Sequence, residues 1–251
     1  MVKKIRDSRI KLLSYSQNRG KVARTNNILR HADTDILVLY DADIVLFDRD
    51  STANLIAPLL AKGSSIALTS GRQVPIVGDT IVEKIANAGS LVWDHAKSYS
   101  KNNSIYYCSG GNRAMIRELY TKLSFPQIMA EDIYPYLYAQ QNNFNFRYVK
   151  KPIIKYSLPK TLSDYFKRDK RYTLSPLQHK KLFGDTLIES EFTINTSIKL
   201  RAMVKAFIQN PFWTILYISL FPVPKILAFL DRDKYASTWK PLSSTRGGAQ
   251  S

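Results

Sequence analysis

Residues 36–43 read Ile36-Leu37-Val38-Leu39-Tyr40-Asp41-Ala42-Asp43. An apolar run of this length, closed by two carboxylates one residue apart, suits a strand buried on both faces of a parallel sheet. In open α/β sheets ligands sit beyond the carboxyl ends of such strands, which is where Asp41 and Asp43 would stand. Hard carboxylate oxygens there suit a divalent cation holding a diphosphate. Aspartate is also an ordinary turn former at a strand end, so the octet points to the fold before it points to a function.

Working outward, strands and helices alternate. Residues 9–14 read as a short strand, 21–31 as a helix, and 51–62 as a helix capped at Asp50-Ser51-Thr52, kinked at Pro58 and stopped by Gly63. Ile66 to Thr69 reads as a strand. Residues 79–97 read as a helix because Ile81, Ile85, Ala88, Val92 and Ala96 keep its period. Residues 105–108 read as a strand leading into Ser109-Gly110-Gly111. Helices are expected near 114–122 and 131–141, and strands near 145–149 and 152–156. This alternation predicts an α/β domain with a mostly parallel sheet.

The chain has 251 residues, 45% of them hydrophobic and 23% charged, which is the composition of a folded protein. Lys and Arg total 37 against 20 Asp and Glu, a net charge of +17. That excess fits a polyanionic partner: nucleic acid, an anionic membrane face or a phosphorylated substrate. No helix-turn-helix, RNP or zinc-knuckle pattern occurs, so nucleic acid is not the expected partner. Cys108 is the only cysteine, which excludes an internal disulfide and fits a reducing compartment. With His31, His95 and His179 scattered, no zinc site is expected. Met1 to Arg6 is basic without a following apolar core, so no signal peptide is expected.

Composition shifts after about residue 160. Residues 165–181 carry Lys167, Arg168, Lys170, Arg171, Lys180 and Lys181. Residues 198–208 set Ile198, Leu200, Met203, Val204 and Phe207 beside Lys199, Arg201 and Lys205, the pattern of a basic amphipathic helix on a membrane surface. Residues 211–230 form an apolar run with one charge, Lys225, long enough to cross a bilayer. Pro222, Pro224 and Lys225 interrupt it, so a re-entrant segment and a buried core helix stay open beside a transmembrane one. The expected organisation is a domain over 1–175, a basic linker and interfacial helix over 176–210, the apolar segment 211–230 and a polar tail over 231–251.

Four short constellations bear chemistry. Asn18-Arg19-Gly20-Lys21 places a glycine and cations at a helix start, where an anion is favoured. Glu131-Asp132 opens a helix; it either complements the helix dipole or supplies a general base. Arg168 and Arg171 share a helix face with Tyr172 beside them, forming either a clamp for a departing diphosphate or a solvated or lipid-facing basic face. The paired glycines Gly110 and Gly111 allow close approach to a ligand or simply a turn.

In this order the motifs resemble those of a family 2 glycosyltransferase of the membrane-bound polysaccharide-synthase type, over roughly residues 9–245. Asn18-Arg19-Gly20-Lys21 through Asn26 resembles the family's n-x-G-K-x-x-x-x-N helix, and Tyr40-Asp41-Ala42-Asp43 its D-x-D strand end. Ser109-Gly110-Gly111-Asn112 through Arg117 resembles its acceptor-side turn. Glu131-Asp132 resembles its catalytic-base motif. Pro159-Lys160-Thr161-Leu162 followed by Arg168 to Tyr172 resembles its P-x-t-l…Q/R-x-x-R-W stretch, with Arg168 for the usual glutamine and Tyr172 for tryptophan.

The resemblance implies a GT-A type fold and inverting transfer from a nucleotide sugar, UDP-linked by expectation, to a saccharide or lipid-linked acceptor hydroxyl in polysaccharide synthesis. It assigns Asp132, with Glu131, as catalytic base. Lys21, Asp41, Arg168, Arg171 and Tyr172 would face the donor diphosphate. Cys108, Gly110 and Gly111 would border the acceptor, with Cys108 a packed thiol. Asp43 and Asp41 would hold Mg²⁺ or Mn²⁺. The expected location is a membrane, with the catalytic part facing the cytoplasm. The family's first two strands, which hold the nucleotide base, do not precede Arg9. The expectation is therefore a domain lacking those strands, with a truncated remnant or a partner-dependent half-enzyme at the membrane as the alternative.

Overall fold

The computed structural model describes residues 7–17, 19–99, 104–128 and 130–231. Asn18 and the tail over 232–251 lie outside the described residues. Helix α1 (Gly20–His31) leads into strand β1 (Ile36–Tyr40) and, after Asp41-Ala42-Asp43, strand β2 (Ile44–Leu46). Helix α2 (Ser51–Leu60) is followed by strand β3 (Ile66–Ile76) and helix α3 (Ile81–Ser98). Strand β4 (Asn112–Ile116), helix α4 (Arg117–Tyr120), helix α5 (Tyr134–Gln141) and strand β5 (Asn145–Ser157) complete the α/β part. Five helices then close the described chain: α6 (Leu162–Phe183), α7 (Asp185–Phe192), α8 (Thr196–Gln209), α9 (Pro211–Leu220) and α10 (Pro222–Leu230).

The sheet is five-stranded in the order β1-β4-β3-β5-β2, and it corrects the expected parallel arrangement. Only β3 and β5 pair in parallel; β1 with β4, β3 with β4 and β2 with β5 are antiparallel. The reason lies in two misread segments. Ile105–Tyr107 forms a 3₁₀ turn instead of a strand, and Asn112 to Ile116, whose last three residues were expected to open a helix, is the strand. Starting there, β4 returns against β1 and needs no crossover helix. Residues 9–14 form no strand. The two strands expected at 145–149 and 152–156 are one, with a register shift opposite Gly71 and Arg72 where Lys150-Lys151-Pro152 bulges. Proline lacks the ladder donor, which is why the irregularity sits there.

Strands β1 and β2 occupy opposite edges of this sheet, yet only Asp41, Ala42 and Asp43 join them. Four strand spacings in a flat sheet would separate the edges by about 19 Å. The link spans at most about 14 Å. The sheet therefore rolls, and β2 meets only the far end of β5, at Ile154 to Tyr156. The aspartate pair lies on the link that closes the roll.

The main core gathers Leu68, Met115, Leu119, Tyr120, Leu137 and Phe146 between the sheet and α1, α4 and α5. A second cluster lies between α3, α8 and α9, built on Ile85, Ala88, Val92, Ala202, Ala206 and Tyr217. Helix α3 starts on a capping box: Thr80 accepts from the Glu83 amide, and the Glu83 carboxylate accepts from the Thr80 amide. The apolar run 211–230 is two helices, α9 and α10, parted at Phe221. Helix α9 packs on α3, and α10 packs on α6.

Candidate active site

The site assembles at the carboxyl end of β1. Lys21, in the first turn of α1, places its ammonium 2.8 Å from Asp41 Oδ1, 2.8 Å from Glu131 Oε1 and 3.3 Å from Asp132 Oδ1. Asp41 continues the β1 ladder by one bond, its amide donating to the Gly111 carbonyl at 3.2 Å. Glu131 and Asp132 sit in a 3₁₀ turn ahead of α5. Arg171 reaches in from α6, with Nη2 3.8 Å from Asp132 Oδ2. Arg113, on β4 and only 1% exposed, donates from Nη1 to the Asp132 carbonyl at 2.8 Å. Lys21, Arg113 and Arg171 thus stand against Asp41, Glu131 and Asp132.

Local sequence explains each placement. Asn26, one turn along α1, pairs its side-chain amide with both the carbonyl and the amide of Phe125 at 2.8 Å. This anchors the helix that carries Lys21. Gly110 allows the approach of Asp132: a Cβ there would lie 2.0 Å from Asp132 Oδ1. Behind the glycine turn, the Asn112 side chain accepts from the Gly71 amide and donates to the Gly71 carbonyl. Gln73 donates to the Ser109 hydroxyl.

The electrostatics divide the carboxylates. Burial alone would raise Asp132, but Lys21, Arg171 and Arg113 outweigh it and hold its carboxyl well below the usual range. Glu131 is raised, by burial first and then by Asp132 beside it, against the pull of Lys21. Asp41 is also raised, because burial outweighs the attraction of Lys21. Burial would lower Lys21, but Asp132, Glu131 and Asp41 overcome it and raise it. Buried Cys108 is pushed up to about 12.

Lys21, Asp41, Glu131, Asp132 and Arg171 are thus brought together, and Gly110 lies against them. Other expected residues stand apart. Arg168 pairs with its neighbour Asp169 at 2.8 Å, a different carboxylate from the Asp132 that Arg171 faces. Tyr172 is exposed, its ring 5.1 Å from the Arg171 guanidinium. Asp43 is exposed on the link. Cys108 is packed in the main core, and Gly111 is buried against Gln73 and Ile154. Arg117, the last residue of the expected acceptor-side motif, pairs with Asp33 at 2.7 Å on the exposed side of α4. Arg113 escaped the sequence reading as a site residue. Its signal was a charged residue directly ahead of the apolar run Ala114-Met115-Ile116, a position that needs a partner when buried.

A separate cavity of about 830 Å³ lies beside α1, lined by Tyr15, Arg19, Arg24, Asn27 and Arg30 among others; none of the carboxylate-cluster residues lines it.

Residues 1–124 match the model of glycosyl transferase family 2. The match takes in just under half of the 251 residues. Lys21, Asp41, Asp43, Cys108, Gly110 and Gly111 lie within the family 2 match, whereas Glu131, Asp132, Arg168, Arg171 and Tyr172 follow it. No curated protein sequence matches the chain. Among solved structures, the chain is similar to the mannosyltransferase PcManGT from Pyrobaculum calidifontis, described in complex with GDP-Man and Mn²⁺. The TM-score is 0.56 at 19% identity, over 90% of this chain and 70% of that one. At that identity the likeness is one of fold: an α/β glycosyltransferase fold of the GT-A type, with a mixed sheet.

Proposed function

We propose that the cluster around Lys21 transfers a sugar, with inversion, from a nucleoside diphosphate sugar to a hydroxyl of a saccharide or lipid-linked acceptor. One observation carries this reading. Asp132 is partly buried against the Gly110 turn between Lys21 and Arg171, two cations suited to a diphosphate. Asp132 takes the proton of the acceptor hydroxyl. The acceptor oxygen bonds to the anomeric carbon from the face opposite the diphosphate. The bond to the diphosphate oxygen breaks, and its electron pair leaves with the nucleoside diphosphate.

Lys21 and Arg171 link donor binding to this step. Both lower the Asp132 pKa in the free protein, which makes its carboxylate a weak base there. A diphosphate arriving between them draws their charge away, so Asp132 becomes more basic when the donor is in place. Arg113, bonded to the Asp132 carbonyl, keeps the base in position. Arg168 serves the diphosphate only if it leaves Asp169. Tyr172 offers an exposed ring face for a sugar.

Among the described residues no group of three or more His, Cys, Asp or Glu could hold a metal ion, so a divalent cation would need substrate oxygens beside the aspartate pair. The cluster's cations and carboxylates already balance, so a diphosphate adds uncovered negative charge. Asp41 and Asp43, with hard oxygens one residue apart, are suited to hold Mg²⁺ or Mn²⁺ beside substrate phosphates. When bound, the ion supplies Lewis-acid stabilisation of the leaving diphosphate. A UDP-linked donor was expected from sequence; the similar mannosyltransferase is described with GDP-Man, so both nucleotides are tested below.

The experiment is Asp132→Asn, with transfer and donor binding measured separately. Transfer falls by about 10²–10⁴ while donor affinity is kept. A variant that transfers at the wild-type rate overturns the base assignment. Titration with UDP- and GDP-sugars in the presence of Mn²⁺ identifies the donor, and binding of neither overturns the donor reading.

A further inference from the structure

The outer faces of α8, α9 and α10 reverse the usual arrangement of a soluble surface. On α8, Leu200, Val204 and Ile208 follow at i, i+4 and i+8 and form one stripe. Ile208 is 74% exposed and Leu200 62%. The opposite stripe, Ala202 and Ala206, is buried against α3. The exposed side is therefore the apolar one. Phe212 and Ile215 on α9, and Ile226, Phe229 and Leu230 on α10, are exposed as well.

Charge accompanies the apolar surface. Between Glu191 and Asp231 the sequence holds no Asp or Glu, while Lys199, Arg201, Lys205 and Lys225 all lie there. Arg201 and Lys205 flank the stripe and share with Tyr99, Leu200, Val204 and Ile208 a groove of about 530 Å³. A groove with an apolar floor and a cationic rim fits a lipid whose phosphate meets the cations and whose acyl chain meets the floor. A second copy of this chain docked by the same face would bring like charges together across a two-fold axis. That complementarity selects an anionic bilayer.

The packing also sets the orientation. Residues 211–230 are long and apolar enough to cross a membrane. They are broken at Phe221, and both halves are tied to the domain. Thr214 is buried and donates to the Ala206 carbonyl at 3.2 Å. Tyr217 is buried against α3, while Pro224 and Ala228 are buried on α10. Crossing a bilayer would strip these contacts. We propose that α8, α9 and α10 lie in the plane of an anionic membrane surface, with phospholipid phosphates held by Arg201 and Lys205 and acyl chains against Leu200, Val204 and Ile208. This stands independently of the transfer chemistry.

The test is sedimentation of the full chain with phosphatidylcholine vesicles, with and without about a third of phosphatidylglycerol. The protein co-sediments with the anionic vesicles and is released by alkaline carbonate. Arg201→Glu with Lys205→Glu, and separately Val204→Asp with Ile208→Asp, each lower the partition coefficient about tenfold or more. Leu60→Asp, exposed on α2 away from this face, leaves it unchanged. Equal binding to neutral vesicles, or undiminished binding by either double variant, overturns the proposal. Resistance to carbonate replaces it with a spanning segment. A dimer in solution that dissociates in Val204→Asp/Ile208→Asp, with no vesicle binding by wild type, replaces it with self-association.

Discussion

The corner around Lys21 and the outer faces of α8 to α10 break the same rule in opposite directions. In the first, carboxylates and cations are taken into the interior: Glu131 is 3% exposed and Arg113 1%. In the second, large apolar side chains are turned out to water. Charges withdrawn from water lose solvation that their pairing only partly returns. Apolar groups left in water forgo about 1.5–3 kcal/mol each. Neither arrangement is explained by the stability of the domain alone. The partners proposed above, a polyanion for the first and a bilayer for the second, would each reverse the deficit. A substitution in the first region should therefore be read in catalysis, and one in the second mainly in packing or docking.

Gly110→Ala gives the largest expected contrast. Its Cβ would fall 2.0 Å from Asp132 Oδ1, so the carboxylate must move. Displacement on this scale lowers kcat by about 10². Steady-state kinetics check it, and an unchanged kcat would break the link between the turn and the base. Next, Lys21→Met leaves Asp41, Glu131 and Asp132 without their shared cation. Because Lys21 is 41% exposed, the loss is moderated to about 1–2 kcal/mol in urea unfolding. A protein as stable as wild type would show that the cluster rearranges freely.

Gly89→Ala tests the other region. Its Cβ would meet Tyr217 Cε2 at 2.5 Å, so α9 is pushed from α3. Overpacking outweighs the gain in helix propensity, for a net loss of about 1 kcal/mol, with the transfer rate unchanged. A fall in rate instead would mean that the two regions are coupled. The smallest effect is one of pH. A carboxyl raised by folding adds stability that is full below its ordinary value, here 4.5, and is lost as pH rises through the raised value. Glu131→Gln removes that loss, so the Tm of the variant should gain on wild type from pH 4.5 towards neutrality. A Tm difference that moves the other way would mean that Lys21, not burial, dominates Glu131.

Much of the site was legible because its chemistry sits in short local motifs. Lys21 at a helix start, Asp41 at a strand end and Glu131-Asp132 ahead of a helix are each set by neighbours within a few residues. What converges on them depends on tertiary contact. Arg168 and Arg171 look equivalent at helical spacing, yet Asp169 takes one and Asp132 the other. Arg113 carried its signal only through burial. The sheet was misread where intrinsic preference and context disagree. Ile105-Tyr106-Tyr107 has strand-forming residues but folds as a turn, while Asn112 to Ile116 lacks a strong strand pattern and is recruited by β1 and β3. The Thr80–Glu83 capping box was written plainly in the sequence, and the helix start was still placed two residues early.

The link that closes the rolled sheet also sets an order in time. Strand β2 emerges in synthesis about 110 residues before Lys155 and Tyr156, the strand partners it waits for. Strand β1 waits a shorter interval for β4. One end of Asp41-Ala42-Asp43 can thus be anchored while the other still hangs free, with Val45, Leu46 and Phe47 beyond it unpaired. The aspartates reach their final spacing only when the last strand arrives. Until then the nascent chain carries the motif of a site without its geometry, and binding a nucleotide sugar early cannot hasten the step that completes it.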